Sequence, residues 1–556
     1  MKYLLGLALA ILLHSCENPK SGEASGLPSQ VDLIVMNAKV YTVDEGMSMA
    51  EAIAVHEGEI VFVGTDEEIV TDYTSENVVD AKGMAMYPGF VDAHCHFLGY
   101  ARTLLNVDLV GTSSKEEVLA KTLDFFGSDY EGWVKGRGWD HTDWEVKEFP
   151  DKSDLDEIYP YVPVALRRVD GHALWANTQA LDLAGINANT KVDGGDVMLG
   201  DDGQPSGILL DNAADIVLNL IPENVKEHDA EVVQRAQENC LKVGLTSMHD
   251  AGLPLNDVLF LKEQYDEGKL DIRLYQMISH EEDAVSYFEE NGAIETDLFT
   301  VKAVKCYMDG ALGSRGALLK QEYHDVGQRK GLQLTTDSAM KDIVKRSLAM
   351  GFQVNTHSIG DGAVAKTLSF YSDVLKEGND LRWRIEHSQV VDPDDLKHYR
   401  HFNIIPSIQP THCTSDMYWV PDRLGDERSP TAYAYKDLLA TNGWLCSGSD
   451  FPVESINPIF GFYAAVSRMD HEGWPEGGFQ KENALSREEA LKAMTIWAAK
   501  AAFRERDYGS IEVGKSADFV LLDRDIMSVP VDEIFEAQVR YTFIRGEQLF
   551  EAPIER

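Results

Sequence analysis

The sequence predicts an α/β protein, a distorted (β/α)₈ TIM barrel joined to a small composite β-sandwich. Three observations indicate this fold. Short apolar runs alternate with helical stretches through most of the 556 residues, as in a chain of βαβ units. Several of these runs are apolar almost throughout, which is typical of parallel strands that are buried on both faces. Both ends of the chain instead show short strands separated by turns.

Eight apolar runs are the candidate barrel strands. Helical segments separate most of them, for example at 229–243, 339–350 and 362–375, so the pattern is that of repeated strand and helix units. The eight runs lie at residues 89–96, 162–167, 245–249, 301–308, 352–357, 383–387, 404–408 and 444–450.

The chain divides into a barrel and a second unit made from both ends. Neither residues 31–87 nor residues 509–556 are long enough for a good β core alone, so we expect them to join into one small sandwich. Residues 88–508 form the predicted barrel. The long early gap predicts an insertion around residues 99–161, and the Gly- and Asp-rich stretch 194–207 predicts a loop or small β excursion over the barrel mouth.

Residues 1–16 are interpreted as an export signal. Lys2 gives a basic start, and residues 4–13 form an apolar stretch that is too short to span a bilayer permanently. The end of this signal resembles the lipobox of bacterial lipoproteins, in which Cys16 would be lipidated; ordinary secretion with a free Cys16 is the alternative. Residues 17–30 form a predicted flexible tether. We therefore expect an exported protein of the cell envelope, anchored by lipid on the periplasmic side or the outer surface.

The charge and the cysteines exclude some classes of partner and of fold. Asp and Glu number 93 against 50 Lys and Arg, which gives a formal net charge of −43. Such a surface repels phosphate backbones and anionic lipid, so nucleic acid is not an expected partner and the lipid anchor is the expected membrane contact. Five cysteines follow Cys16, an odd number spread over a long chain, which predicts no disulfide framework.

Candidate metal ligands recur at the C-terminal ends of the apolar runs. In a barrel those ends converge on one mouth, where active sites lie. His94 and His96 are two residues apart, so on a strand both side chains point to the same face. Two unrelated histidines would explain that pair alone, but packing hardly explains six such residues at strand ends. The six are His94, His96, Lys305, His357, His387 and Asp450.

Seven segments of the chain carry recognisable motifs. They are PGFVDAHCH at 88–96, DGHALWAN at 170–177, MDGALGSRG at 308–316, NTHSIGD at 355–361, RIEHSQ at 384–389, GSDFP at 448–452 and GSIEVGKSAD at 509–518. Together these segments resemble the amidohydrolase superfamily, in particular the YtcJ-like branch of amidohydrolase family 3. The resemblance covers the chain from about residue 31 to its end.

The resemblance implies a metal-dependent barrel hydrolase with two divalent ions. Zinc is the first expectation, and iron or manganese are the alternatives that His and carboxylate ligands also suit. Asp450 would also be catalytic, taking a proton from the attacking water and passing it to the leaving amine. By resemblance, His94, His96 and Asp450 hold one ion, His357 and His387 hold the other, and a carboxylated Lys305 bridges the two.

A carboxylated lysine is also the physically reasonable form of Lys305. A free ammonium beside two cations is repelled, whereas a carbamate is an anionic ligand with two oxygens. Lys302 is the competing lysine, but three residues along a strand it faces the opposite side. The alternative role for Lys305 is an ion pair with Asp309 or another carboxylate.

Other residues have a functional and a structural interpretation. His172 resembles a substrate-facing residue of the family, or it is a structural turn histidine. Arg315 would orient an anionic or carbonyl group of the substrate, or it forms a loop salt bridge. His249 and Asp250 would support the metal ligands, or they form a hydrogen-bonded pair in the core. Trp133, Trp139 and Trp144 lie in the insertion, where packing is a better explanation for them than stacking on a substrate.

The leading hypothesis is a metal-dependent amidohydrolase that cleaves a non-peptide carbon–nitrogen bond, of the N-acyl or N-formyl amine type, with a metal-activated hydroxide. The expected partner is a small amide-type molecule. A one-metal deaminase or an esterase-like hydrolase is the first alternative, and Lys305 argues against it because such members lack this lysine. A non-catalytic ligand-binding lipoprotein is the alternative from another class, and the intact set of ligands argues against it.

Overall fold

Eight parallel strands form an almost closed barrel in the computed structural model, which describes residues 29–141, 144–168, 173–192, 195–222, 226–313 and 315–553. Backbone hydrogen bonds bring the segment after strand eight back to strand one: Asp450 N donates to His94 O at 2.7 Å and His96 N donates to Phe451 O at 2.8 Å. Numbered one to eight in chain order, the barrel strands are Phe90–Cys95, Leu245–Leu253, Arg273–Ser279, Phe299–Tyr307, Gln353–Ser358, Arg384–His387, Ile405–Ile408 and Cys446–Ser447.

The prediction that residues 162–167 form a barrel strand is wrong. This run forms the strand Val164–Arg168, which pairs with neighbours in a separate sheet. Barrel strand three is Arg273–Ser279, whose polar residues break the apolar pattern. Arg273 reaches out of the strand to pair with Asp518 at 2.6 Å, and Gln276 is fully buried with its amide donating to backbone carbonyls.

The separate sheet has six strands and lies in the chain between barrel strands one and two. Trp139 is the centre of its core, with Trp144 and Trp175 at ring-centroid distances of 6.0 and 6.1 Å. Of the tryptophans predicted to pack in the insertion, Trp139 and Trp144 are buried, and Trp133 packs half-buried against a neighbouring apolar cluster. In spatial order the strands are Gly195–Leu199, Pro205–Asp211, Ala173–Ala176, Val164–Arg168, Val134–Trp139 and Val107–Asp108.

Both chain ends contribute to one small sandwich, as the sequence predicts. Ala85–Pro88, from the N-terminal end, pairs antiparallel with Phe519–Leu522, from the C-terminal end. A shared apolar core joins the two sheets of the sandwich. The larger sheet contains Glu547–Glu551, Val539–Ile544, Phe519–Leu522, Ala85–Pro88, Lys39–Tyr41 and Met49–Ala50, and the smaller contains Glu59–Gly64, Ala52–His56, Leu33–Met36 and Val78–Asp80.

Helices connect the barrel strands and cover them from outside. The helix Asp337–Met350 shows why they begin and end where they do: the Thr336 side chain accepts from Ala339 N, and Gly351 adopts the left-handed conformation that ends a helix. The main helices around the barrel are Phe97–Thr103, Lys226–Lys242, Leu255–Asp266, Glu282–Asn291, Asp337–Met350, Asp361–Ser372, Leu396–His401, Pro410–Asp416, Val420–Leu424, Tyr435–Asn442, Pro458–Ser467, Arg487–Ala493 and Ile496–Ala501.

Helices also accompany the other two units. They are Asp66–Asp72 in the sandwich and Lys115–Phe126, Lys152–Ile158, Thr178–Leu183 and Asn212–Leu218 in the unit of the separate six-stranded sheet.

No helix within the described residues has both the length and the apolar character needed to cross a membrane. The predicted export signal, Cys16, most of the predicted tether and His172 lie outside the described residues.

Candidate metal centre

The structure brings all six sequence-predicted ligands to the C-terminal end of the barrel. The side chains come from five different strands but face a common space. His94 and His387 have ring centroids 5.1 Å apart, and those of His357 and His387 are 4.4 Å apart. His94 and His96 end strand one, Lys305 is in strand four, His357 in strand five, His387 ends strand six, and Asp450 follows strand eight.

Asp450 and the two histidines of strand one form the first part of the centre. Asp450 Oδ1 lies 3.5 Å from His94 Nε2 and 3.2 Å from His96 Nε2. One ligand atom from each of the three side chains lies within 4.8 Å of the others, as coordination of one ion requires. The backbone of Asp450 is left-handed, with φ at 63°, which a non-glycine residue adopts only where its surroundings hold it there.

His357 and His387 form the second part, and their chemistry fits a metal. Burial lowers the pKa of His357 to about 3, with Lys305 acting in the same direction, and burial also lowers the pKa of His387 well below its usual range. Both imidazoles are therefore neutral and keep a lone pair. His357 Nε2 and His387 Nδ1 are buried without a hydrogen-bond partner among the described residues. Such nitrogens are rare without a ligand to satisfy them.

Lys305 lies beside the first part of the centre. Its Nζ is 3.2 Å from His94 Nε2 and 4.9 Å from the ring centroid of Tyr307, and the residue is 1% exposed. Within the described ranges, no carboxylate oxygen comes within 4.0 Å of Lys305 Nζ. The close approach of strand two depends on Gly252, because a Cβ there would lie 3.0 Å from Lys305 Cγ. A buried lysine without a carboxylate partner fits the carbamate hypothesis better than a structural ion pair.

Asp309 and Lys302 both make their contacts away from the Lys305 amine. The carboxylate of Asp309 accepts backbone N–H groups of Leu318, Ile359 and Gly360, so it organises the loops after strands four and five. Burial raises the pKa of this carboxyl to about 7. Lys302 faces the opposite side of the strand, as expected, and pairs with Glu295 at 2.8 Å.

Glu386 orients His94 and received no role in the sequence analysis. His94 Nδ1 lies 2.6 Å from Glu386 Oε2, and both side chains are fully buried. Burial raises the pKa of Glu386, but His94, Arg384 and Lys305 more than offset this effect and lower it to about 2. A hydrogen bond from His94 Nδ1 to this carboxylate leaves Nε2 facing the centre. The available signal was a carboxylate directly before the predicted ligand His387, in a strand where only Ile385 is apolar.

His412 is the other residue that sequence reasoning missed. It lies in the helix Pro410–Asp416, directly after strand seven. Its Nε2 is 3.1 Å from Asp450 Oδ2 and its Nδ1 is 3.1 Å from Glu454 Oε1. Burial lowers the pKa of His412, but the two carboxylates together raise it to about 10. The available signal was its position four residues beyond a strand end at the barrel mouth.

With this geometry established, comparison with known proteins identifies the family. The family model described as the amidohydrolase family matches residues 77–550. The chain belongs to this family.

Relatives of this amidohydrolase agree with the assignment over nearly its whole length. The amidohydrolase YtcJ of Bacillus subtilis is 31% identical over 522 residues, which cover 92% of this chain and 98% of that protein. N-substituted formamide deformylase of Arthrobacter pascens is 27% identical over 543 residues, covering 94% and 98%. A crystal structure of a metal-dependent hydrolase from Pyrococcus furiosus has a TM-score of 0.74 at 25% identity, covering 89% and 100%.

The protein is therefore a metal-dependent hydrolase of the amidohydrolase superfamily, and it acts on carbon–nitrogen bonds. The individual roles of its six candidate ligands stay predictions. They are supported by the clustering of the side chains at the barrel mouth and by His357 Nε2 and His387 Nδ1, which lack a hydrogen-bond partner among the described residues.

Asp92 connects strand one of the amidohydrolase to the segment that carries Asp450. Its carboxylate accepts from Ser449 Oγ at 2.6 Å, from Ser449 N and from His94 N at 3.0 Å. Gly448 makes this close contact possible, because a Cβ there would come within 2.3 Å of His94 N. Burial raises the pKa of Asp92 to about 7.

Arg315 of the amidohydrolase forms a loop salt bridge, which was the structural alternative for this residue. It pairs with Asp325 at 2.6 Å, and Arg423 pairs with the same carboxylate oxygen at 2.6 Å. A role of Arg315 toward substrate stays a prediction, as does that of His172.

His249 and Asp250 do not form a hydrogen-bonded pair with each other; each contacts other residues. His249 Nδ1 lies 3.0 Å from Arg384 Nη1 in the barrel interior. Asp250 accepts the backbone N–H groups of Phe97 and Leu98, and so holds the start of the helix that follows His96.

Proposed function

We propose that this amidohydrolase hydrolyses an N-acyl or N-formyl amine at a centre of two divalent ions. The single observation that carries the proposal is Lys305, a buried lysine among the candidate ligands whose amine is 3.2 Å from His94 Nε2. The similarity to an enzyme named N-substituted formamide deformylase supports the substrate class. Zinc is the proposed metal, since imidazole and carboxylate ligands suit it.

The residues divide between two proposed ion positions. Bound ions would polarise the substrate carbonyl and lower the pKa of water. Lys305 as a carbamate would supply the ligand that the two ions share: its amine lies 3.2 Å from His94 Nε2 in the first group, and burial together with its charge lowers the pKa of His357 in the second. In the proposed assignment, His94, His96 and Asp450 hold one ion, and His357 and His387 hold the other.

Asp450 moves the proton in this proposal. Its Oδ1 faces His94 and His96 and takes a proton from the attacking water as the new carbon–oxygen bond forms. The same oxygen gives this proton to the amine nitrogen as the carbon–nitrogen bond breaks. Glu386 keeps His94 in the tautomer that leaves Nε2 facing the centre.

Metal content and activity together test the proposal. Wild type and Lys305→Ala are prepared alike, analysed for metal per chain, and assayed against a panel of N-formyl and N-acyl amines. We expect about two ions in wild type, fewer in the variant, and hydrolysis that a chelator abolishes. Lys302→Ala is the matched control, because this neighbouring lysine faces away from the centre and should change neither result.

Two outcomes contradict the proposal. About one ion per chain in both wild type and Lys305→Ala would make Lys305 structural and favour a one-metal deaminase or esterase-like hydrolase. A metal-loaded wild type that cleaves no amide in the panel would contradict the substrate class.

The cellular location is a further part of the proposal. We propose that Cys16 is lipidated and that the protein is held at the cell envelope, with small molecules rather than nucleic acid as its partners. The basic start, the apolar stretch and the small residue before Cys16 support this. Wild type should fractionate with membranes and enter a detergent phase, and Cys16→Ser should appear in the soluble fraction. A wild type that remains soluble would contradict the anchor.

A further inference from the structure

A chain of three side chains leads outward from Asp450. His412 lies between two carboxylates, with Nε2 at 3.1 Å from Asp450 Oδ2 and Nδ1 at 3.1 Å from Glu454 Oε1. The exposed fractions of the side chains are 10% for Asp450, 12% for His412 and 21% for Glu454. Ser415 Oγ, one turn along the same helix as His412, donates to Glu454 Oε1 at 2.7 Å. The contact therefore joins the helix after strand seven to the loop after strand eight.

His412 differs in kind from the histidines of the centre. Both ring nitrogens of His412 lie within hydrogen-bond distance of a carboxylate oxygen, and a carboxylate accepts hydrogen bonds. His357 and His387, in contrast, each present a buried nitrogen without a partner among the described residues. His412 belongs to a second set of side chains, with His387 and Asp450, that lie close enough for one ion. Because both of its nitrogens contact carboxylates, His412 is better suited to orient Asp450 than to bind an ion itself.

The two oxygens of Asp450 have different surroundings because of this arrangement. Oδ2 accepts from His412, and Oδ1 faces His94 and His96. A carboxylate rotates readily about its last side-chain bond, and its two oxygens are chemically equivalent. A charge-assisted hydrogen bond to one oxygen removes this freedom. The backbone of Asp450, held at φ 63°, fixes the base of the side chain but not the plane of its carboxylate.

We propose that His412, held in place by Glu454, is a positioning residue that occupies Oδ2 of Asp450 and so keeps Oδ1 turned toward His94 and His96. This inference rests on the proposed function, in which Asp450 is both ligand and proton carrier. His412 itself touches neither substrate nor ion in this role.

Two amide substitutions of His412 test whether its hydrogen bond to Asp450 is the important contact. His412→Gln places an amide N–H near the position of Nε2, where it can still donate to Asp450. His412→Asn is one methylene shorter and places its amide near Nδ1, so Asp450 loses the donor. His401→Asn is the control, since His401 is half exposed at the end of a helix away from the centre.

Zinc affinity, zinc stoichiometry, kcat and KM are measured for each variant, with affinity taken from competition with a chromophoric chelator. We expect His412→Asn to lower zinc affinity or kcat by about 10- to 100-fold, the usual effect of removing a partner that orients a ligand. KM should stay within about twofold, and saturating zinc should restore the wild-type stoichiometry. His412→Gln should recover most of the loss, and Glu454→Gln should give a smaller loss of the same kind.

The outcomes separate this inference from the proposed function. Loss of one zinc per chain at saturation in His412→Asn would make His412 a ligand and overturn the positioning role. Equal impairment in the Asn and Gln variants, or wild-type affinity and kcat in His412→Asn, would overturn it too while leaving the proposed function in place. A wild type that binds no zinc and cleaves no amide would overturn the proposed function and this inference with it.

Discussion

His94 Nδ1 lies 2.6 Å from Glu386 Oε2 in the interior of the barrel, and neither side chain is exposed to solvent. Glu386 also lies beside Arg384, whose Nη1 is 3.9 Å from the second carboxylate oxygen. The buried negative charge thus has two partners, which keeps its desolvation cost tolerable. Glu386 occupies Nδ1 of His94, so Nε2 is the nitrogen of His94 that can bind a metal.

Replacing Glu386 by Gln should weaken metal binding. The amide keeps the size of the side chain but loses the charge that holds the Nδ1 proton of His94, so we expect zinc affinity to fall by about 10- to 100-fold. Competition with a chelator measures the change. Glu377→Gln is the matched control, because Glu377 faces His401 in an exposed pair. Unchanged affinity in Glu386→Gln would show that His94 needs no carboxylate to orient it.

Gly448→Ala should disturb the closure of the barrel. The added Cβ would lie 2.3 Å from His94 N and 2.6 Å from Asp92 Oδ1, so strand eight must move away from strand one. We expect a loss of about 1–3 kcal/mol in unfolding free energy, together with reduced activity, since Asp450 is two residues away. Denaturant unfolding and kcat measure these effects.

Gly461→Ala is the control for that substitution. Gly461 lies within the helix Pro458–Ser467 with nothing within 4 Å of the added Cβ. It should keep wild-type activity and gain up to about 1 kcal/mol, because alanine favours a helix. Equal behaviour of the two alanine variants would contradict the steric argument at Gly448.

Removal of metal should lower the melting temperature, and zinc should restore it. An ion that binds only the folded state stabilises it by about 2.7 kcal/mol when its free concentration is 100 times its Kd. The measurement is a melting curve after chelator dialysis, followed by titration with zinc. The double variant His94→Ala, His96→Ala should show a smaller recovery, because it loses two of the three ligands proposed for one of the two ions. Identical melting curves with and without zinc would contradict a structural contribution of the metal.

Asp525 should make the sandwich sensitive to acid. It accepts from Tyr41, Tyr87 and Ser528 at 2.7–3.0 Å and pairs with Lys39. Burial raises the pKa of this carboxyl, but these partners outweigh burial and lower it from 3.8 to about 2. Since the folded value lies below the unfolded one, the stabilisation is complete above pH 3.8 and is lost as pH falls from 3.8 toward 2.

Asp525→Asn should therefore cost about 1.5 kcal/mol at pH 6, the lower end for hydrogen bonds to a charged group, because Lys39 is half exposed. The difference from wild type should shrink as the pH falls below 4. Urea unfolding at a series of pH values measures it, with the exposed Asp124→Asn as control. A difference that stays constant down to pH 2 would contradict the link to this carboxylate.

The clustering of the six candidate ligands was predictable from sequence because each of them sits in a locally recognisable context. His94 and His96 share one strand face, and His357 and His387 end apolar runs, so barrel geometry alone brings them together. The orienting residues have no such local signature. Glu386 meets His94 across 292 positions, and His412 meets Asp450 across 38, so only the folded arrangement shows that they are partners.

The misassigned strand has a similar cause. An apolar run indicates that a strand is buried, but not in which sheet it lies. Residues 162–167 therefore resembled a barrel strand although they belong to the separate six-stranded sheet. The true strand three carries Arg273, whose place in a buried strand makes sense only with its partner Asp518, 245 positions away.

The pairing of Ala85–Pro88 with Phe519–Leu522 also sets an order of events during synthesis of the protein. One neighbour of Ala85–Pro88, the strand Lys39–Tyr41, is made early, but the other, Phe519–Leu522, is made only when almost the whole chain has been synthesised. Early domains of many proteins can fold while later ones are still being made. Here the N-terminal half of the sandwich must wait for the last strands, so the sandwich is completed only after translation has nearly ended.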